Sequence, residues 1–259
     1  MSDVVDRVLA ARRGPAILAP LGAEAPPDLA AGYALQRRIA ERLGEVPPIG
    51  FKVGATSEAM RRYLGQDQPV AGFMPAAGIR RSHGRFRLAD QVETGVECEI
   101  GLRLAQDIPV GTHDRAVLAG AVAEVFVAIE VLDRRYGDLA VLGTPTLVAD
   151  SALHAGGLLG APCPGWDAAR LAGPDLARLR GRLTVSGALR GEGLGGDLLG
   201  HPMEVLAWLA ASGAAAAFGG LRAGQVVLLG SVTPLIWLDG PGTVRASFAG
   251  LGEASAEFV

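Results

Sequence analysis

Three glutamates, Glu97, Glu99 and Glu130, have the types and surroundings that point to chemistry in this chain. Val96-Glu97-Cys98-Glu99-Ile100 reads as a strand. Successive strand side chains point to opposite faces, so Glu97 and Glu99 share a face and Cys98 points away. Two carboxylates on one face of an apolar run repel each other and resist burial. A divalent cation resolves that conflict. Val125-Phe126-Val127-Ala128-Ile129-Glu130-Val131-Leu132 is a second apolar run. It reads as a neighbouring strand able to bring a third carboxylate to the same point. Hard cations such as Mg²⁺ take oxygen ligands and keep positions open for water or substrate. Three carboxylates and one dication leave a charge of about −1, so a nearby lysine favours an anionic substrate. The plainer alternative is a solvent-facing or salt-bridged strand edge. The depth of the apolar flanks favours the metal site.

A lysine is available. Lys52 is the only lysine among 259 residues, in a chain with 24 Lys and Arg together. A bias toward arginine explains the excess of one type but not the survival of a single residue of the other. Lys52 lies in Ile49-Gly50-Phe51-Lys52-Val53-Gly54, a short buried strand after Pro47-Pro48. Lysine is seldom buried without a partner. Its plain alternative is a surface strand position.

The remaining composition bounds the function. A formal charge of −3 shows no basic excess and argues against nucleic acid as a partner. The two cysteines, Cys98 and Cys163, have neither disulfide nor zinc spacing. The N-terminus carries Asp3 and Asp6 with no apolar core of signal-peptide type, and no run is long enough to span a membrane. A soluble cytoplasmic protein is expected. The length suits one large domain with a smaller N-terminal part.

The elements that position these residues follow in order. A short helix is expected from Ser2 to about Arg13. Pro26-Pro27-Asp28 opens a second helix through Tyr33, Leu35, Ile39 and Leu43, with Gly44 past its end. Thr56 or Ser57 caps a third, with Met60 and Leu64 as its apolar positions. Glu93 to Leu104 and Glu124 to Leu132 are the two carboxylate strands, and Asp114 to Ala123 between them is helical. Asp133 faces away from Glu130 in a straight strand. Val148 to Ala152 reads as a helix start or ordered loop. His154 reads as a structural or exposed histidine rather than a ligand. Pro162 to Pro174 reads as loop and Arg182 to Ser186 as strand. The glycine-rich run Gly191 to Gly200 lacks the frame of a nucleotide-binding loop. His201-Pro202 starts a helix, and Gln225 to Gly230 is a buried strand. Leu235 to Leu238, Thr243 to Phe248 and Ala254 to Val259 alternate like one antiparallel sheet. Strands outnumber helices after Glu93. The class is α+β, with residues 1–70 a helical N-terminal part carrying the lysine strand and residues 71–259 a β-rich catalytic domain.

Taken together, the motifs resemble a known family. Gly50-Phe51-Lys52-Val53-Gly54-Ala55-Thr56-Ser57 is similar to its lysine motif. Val96 to Ile100 and Ala128 to Asp133 are similar to its metal strands. Val148-Ala149-Asp150-Ser151, Gly200-His201-Pro202 with Trp208-Leu209-Ala210, and Ala223 to Ser231 follow in the same order and spacing. The resemblance, from about Tyr33 to the C-terminus, is to the 2-keto-4-pentenoate hydratases and 4-oxalocrotonate decarboxylases of the fumarylacetoacetate hydrolase superfamily. It implies a mixed β-roll, a homo-oligomer that can assemble with a related family enzyme, and a Mg²⁺ or Mn²⁺ ion ligated by Glu97, Glu99 and Glu130. It implies Lys52 at the active site as the catalytic and substrate-binding cation, and Ser231 as a substrate-binding residue. The implied substrate is a 2-oxo acid from aromatic-compound breakdown, activated by a Lewis-acid metal. A hydratase adds water to the ketonised dienoate. A decarboxylase reaches the same dienolate by losing CO₂.

One residue departs from the family pattern. Hydratases carry Asp after Gln-Pro in the loop following the lysine motif, and here Gln68-Pro69 is followed by Val70. Valine cannot transfer a proton. Asp67, Asp150 and Ser231 are the replacements to consider. Hydration leads because Gly230-Ser231 resembles that branch, and decarboxylation is the runner-up. Carbon–carbon hydrolases of the superfamily use a His–Glu pair early in the chain, and here no His precedes His83. A non-catalytic 2-oxo-acid-binding subunit is the alternative of a different class.

Overall fold

The computed structural model describes residues 3–259. Its first helix, α1 (Val4–Arg12), is capped by Asp3, whose side chain accepts from the Val5 N–H. Ser2, the expected first residue of that helix, lies outside the described residues. Helix α2 (Leu29–Leu43) begins where Asp28 accepts from the Ala31 N–H and stops at Gly44 in the left-handed region (φ 73°). Both caps are those the sequence signals. Helix α3 (Glu58–Tyr63) is capped by Ser57. Its Met60 is exposed rather than apolar-facing.

The strands in chain order are β1 (Gly50–Gly54), β2 (Val70–Met74), β3 (Ile79–Arg81), β4 (Gly84–Phe86), β5 (Thr94–Leu104), β6 (Val122–Asp133) and β7 (His154–Leu159). After them come β8 (Arg180–Val185), β9 (Ala188–Leu194), β10 (Val226–Ser231), β11 (Ile236–Trp237), β12 (Gly242–Phe248) and β13 (Gly252–Phe258). They form two sheets. The larger runs β2-β1-β10-β5-β6-β7-β3, with β11 on β5; the smaller runs β4-β13-β12-β8-β9. The larger sheet is mixed, because β1 pairs β10 in parallel while β5 and β6 are antiparallel. Helices and mixed, curled sheets make this an α+β fold of the β-roll type, as expected.

Helix α2 is bound to the edge of the larger sheet by two polar side chains. Gln36 Nε2 donates to the carbonyls of Ala71 (3.0 Å) and Val148 (2.5 Å), and its Oε1 accepts from the Phe73 N–H. The Tyr33 hydroxyl accepts from the Ala71 N–H. These bonds occupy the backbone of edge strand β2, which otherwise presents unpaired groups. One face of the sheet carries an apolar floor of Met74, Phe126, Ala128, Val226 and Leu228. Gly101 is required there: a Cβ would lie 2.3 Å from the Phe126 ring.

Three local expectations are corrected. Leu235 to Leu238 does not join the sheet of β12 and β13. Its β11 pairs β5, with Trp237 opposite Gly95, because the bend Ser231 to Pro234 turns the chain back across the larger sheet. The glycine-rich run opens inside strand β9, which ends at Leu194, and Gly193 there lies so close to the Val232 carbonyl that a Cβ would sit 1.8 Å away. Those glycines serve close packing. Pro162 to Pro174 contains the short helix Ala168–Ala172, capped by Asp167. Val148 and Ala149 close a helix rather than open one, since the helix Thr144–Ala149 has Pro145 in its first turn.

Candidate metal centre

Strand pairing assembles the site. Glu97 lies directly opposite Glu130, and Glu99 opposite Ala128, across β5 and β6. Like charges facing each other across an antiparallel pair are destabilising. Each of Glu97, Glu99 and Glu130 offers an oxygen, and these oxygens all lie within 4.8 Å of one another. Glu99 and Glu130 are fully buried and Glu97 is partly exposed. Strand β10 inserts between β5 and β1, and β1 brings Lys52 to the same face. Lys52 is 2% exposed, and its Nζ lies 3.2 Å from Glu130 Oε1. The Gly230 N–H donates to Glu99 Oε2 at 2.7 Å, at a bulge in β10.

The electrostatics fit a cation. Glu99 Oε1 and Glu130 Oε2 are buried with no hydrogen-bond donor. Ionised oxygens so placed need either protons or a cation. Without a cation, burial and the charges of Glu130 and Glu97 hold Glu99 well above the ordinary carboxylate range. Burial and Glu130 push Glu97 up to about 7 against the pull of Lys52. Burial alone would depress the Lys52 ammonium, but Glu130, Glu97 and Glu99 outweigh it and raise its pKa, so Lys52 stays charged. Burial would also raise Glu130; Lys52 and His154 reverse that and keep it ionised.

Of the other residues singled out by sequence, only some lie on the face of this cluster. Ser231 is the cross-strand partner of Glu99. Its hydroxyl donates to the Thr233 carbonyl at 2.8 Å. Asp133 points away and caps the Val92 and Glu93 N–H groups. Asp67 is exposed in the loop before β2. Asp150 is fully buried but committed elsewhere, to Arg12 (2.8 Å), Arg135 (3.0 Å) and the Tyr136 hydroxyl. Val70 is the cross-strand partner of Gly54, two residues along β1 from Lys52 and on the same face of the sheet.

His154 is the residue that sequence reasoning set aside. It is fully buried, with Nδ1 2.8 Å from Glu130 Oε1. The signal was weak because the histidine lies 24 residues from its partner and its face depends on a bulge. The turn before it packs on Gly72, where a Cβ would lie 2.4 Å from the Ser151 carbonyl oxygen. Gly72→Ala is therefore expected to destabilise the fold by about 1–3 kcal/mol through overpacking against backbone. A urea midpoint unchanged from wild type would refute that.

On a mixed sheet, three convergent carboxylates against a buried ammonium form a group that could hold a divalent cation. The chain belongs to the fumarylacetoacetate (FAA) hydrolase C-terminal family, whose model matches residues 51–259. It is 35% identical over 210 residues to 2-keto-4-pentenoate hydratase of Burkholderia vietnamiensis, covering 81% of this chain and 78% of that protein. It is 28% identical over 228 residues to 4-oxalocrotonate decarboxylase of Pseudomonas putida, covering 88% and 83%. The fold superposes on 4-oxalocrotonate decarboxylase from Pseudomonas putida G7, complexed with magnesium and adipate, with TM-score 0.87 and 23% identity over 98% of this chain and 95% of that one. Among the described residues no helix is long and apolar enough to cross a membrane.

Proposed function

We propose that this protein is a divalent-metal-dependent lyase that hydrates a 2-hydroxy-2,4-dienoate to a 4-hydroxy-2-oxo acid in aromatic-compound breakdown. The observation that carries the reading is the buried Glu97–Glu99–Glu130 cluster with unpartnered oxygens beside the chain's single lysine. The identity to named hydratases supports the reaction class. Glu97, Glu99 and Glu130 would hold Mg²⁺ or Mn²⁺. A cation so held supplies Lewis acidity toward the carboxylate and keto oxygens of a 2-oxo acid.

The chain's own residues do the rest. Lys52, kept protonated by the surrounding carboxylates, meets the substrate carboxylate or the negative charge that develops on the substrate oxygen. Ser231, opposite Glu99, would turn its hydroxyl from the Thr233 carbonyl to meet the substrate. Glu130 holds Lys52 in place through its 3.2 Å contact. Val70, on the face of Lys52, contributes apolar surface and no proton. A cytoplasmic homo-oligomer, able to associate with a related family enzyme, completes the proposal.

Lys52→Ala separates binding of the cation from turnover. The variant is expected to keep Mn²⁺ binding and to lose about 10²–10³-fold in kcat, the scale of one preorganised charge contact. Unchanged kcat would remove Lys52 from the mechanism.

Val70 and the likeness to a decarboxylase favour one second reading, decarboxylation of a 2-oxo dicarboxylic acid. NMR of the products from 2-hydroxypenta-2,4-dienoate and from 2-oxo-3-hexenedioate, each with Mg²⁺, decides between them. A 4-hydroxy-2-oxo acid from the first establishes hydration. Loss of CO₂ from the second without hydration of the first establishes decarboxylation. Mn²⁺ binding with neither product favours a non-catalytic binding subunit.

A further inference from the structure

We infer that His154 is a positioning residue of the carboxylate site: it clamps Glu130 Oε1 and so leaves Oε2 as the oxygen that Glu130 offers to a cation. The inference rests on the reading of the three glutamates as a cation site.

The backbone is shaped to bring this ring to that oxygen. In β7, Gly157 lies opposite Glu130 and Gly156 opposite Val131. Unbroken alternation would next set Ala155 opposite Leu132 and turn His154 to the far face. A bulge instead sets His154 opposite Leu132, on the face of Glu130. Bulges re-aim side chains in this way beside functional sites. The three residues before it, Ser151, Ala152 and Leu153, all have positive φ (57°, 49° and 70°). Residues with a Cβ seldom adopt that conformation, and a run of three needs outside support. Arg12 supplies it, donating to Ser151 Oγ at 3.4 Å and to the His154 carbonyl at 3.5 Å. Gly72 leaves room for the Ser151 carbonyl.

The ring's own contacts argue against packing as its purpose. Its hydrogen bond is to Glu130, and its Nε2 is buried without a partner. An apolar side chain would fill the same space without stranding a nitrogen. An ionised carboxylate only accepts, so Nδ1 carries the proton and donates. Lys52 and His154 together occupy Oε1, while Oε2 has no donor.

Asparagine and glutamine distinguish position from bulk. The Asn amide nitrogen falls near the place of Nδ1, and the Gln amide nitrogen near that of Nε2. Mn²⁺ dissociation constants would be measured by titration calorimetry on wild type, His154→Leu, His154→Asn and His154→Gln. The Leu and Gln variants are expected to bind Mn²⁺ about 10–100-fold more weakly, the usual cost of losing a partner that orients a metal ligand. The Asn variant is expected to regain most of the affinity. Wild-type affinity in a folded Leu variant overturns the inference. Equal weakness of Asn and Gln also overturns it, and that comparison decides alone where Leu does not fold. Absence of Mn²⁺ binding by the unmodified protein overturns the cation-site reading and this inference with it.

Discussion

Replacing Glu130 by alanine is expected to abolish divalent-cation binding and to lower kcat/KM by at least about a thousandfold, given the several kcal/mol that a bound metal contributes to such chemistry. Glu130 is the meeting point of the site. It faces Glu97 across the β5–β6 pair, and its Oε1 receives both Lys52 and His154. Alanine removes one of three ligand carboxylates and the contact that aims Lys52. Glu97 and Glu99 remain in the field of the ammonium, so its charge is still balanced. The fold is therefore expected to survive, and the loss should appear in binding and turnover rather than in expression. Calorimetric titration with Mn²⁺ and the decay of dienoate absorbance measure both. A variant that binds Mn²⁺ within tenfold of wild type would count against the whole site.

Asp150→Ala is expected to cost about 3–5 kcal/mol of stability, because it leaves buried cationic side chains without their counter-charge. For a chain of this size that corresponds to a fall of roughly 6–20 °C in Tm. Asp150 is fully buried between Arg12 and Arg135 and also accepts from the Tyr136 hydroxyl. Burial would raise its pKa, but the two guanidiniums and the hydrogen bonds hold it below the ordinary carboxylate value. The sign of the pH effect follows. A depressed folded-state pKa gives stability that is complete above the unfolded value of about 3.9 and is lost as pH falls through the folded value. The stability difference between wild type and Asp150→Asn should thus be constant near neutrality and shrink in acid below about pH 4. Urea denaturation of both proteins across that range tests it; a difference that grows in acid would contradict the assignment. The same substitution loosens Arg12 from the turn before His154, so a weakening of Mn²⁺ binding should accompany it.

Local chemistry by itself determined a good part of this protein. Asp28 and Gly44 bound one helix, Ser57 caps another and His201-Pro202 opens a third, because capping acts over three or four residues. Alternation placed Glu97 and Glu99 on one face, since the period of a strand needs no partner to be read. The isolation of Lys52 in the composition marked it before any strand was paired. Pairing was a different matter. That Glu97 stands opposite Glu130 depends on the register of two strands, and that Lys52 joins them depends on β10, drawn from residues 226–231, entering between β1 and β5. Register and strand order are set by the packing of whole sheet faces over long chain separations, which no short window of residues contains. The same holds for Asp150, whose four-residue motif matched the family but whose ion partner Arg12 is 138 residues away. His154 shows the limit most plainly. An unbroken ladder would turn it to the far face, and a bulge of one residue turns it onto Glu130. A bulge arises from competition between the turn behind it and the ladder ahead of it, so only the tertiary structure decided that this histidine belongs to the site.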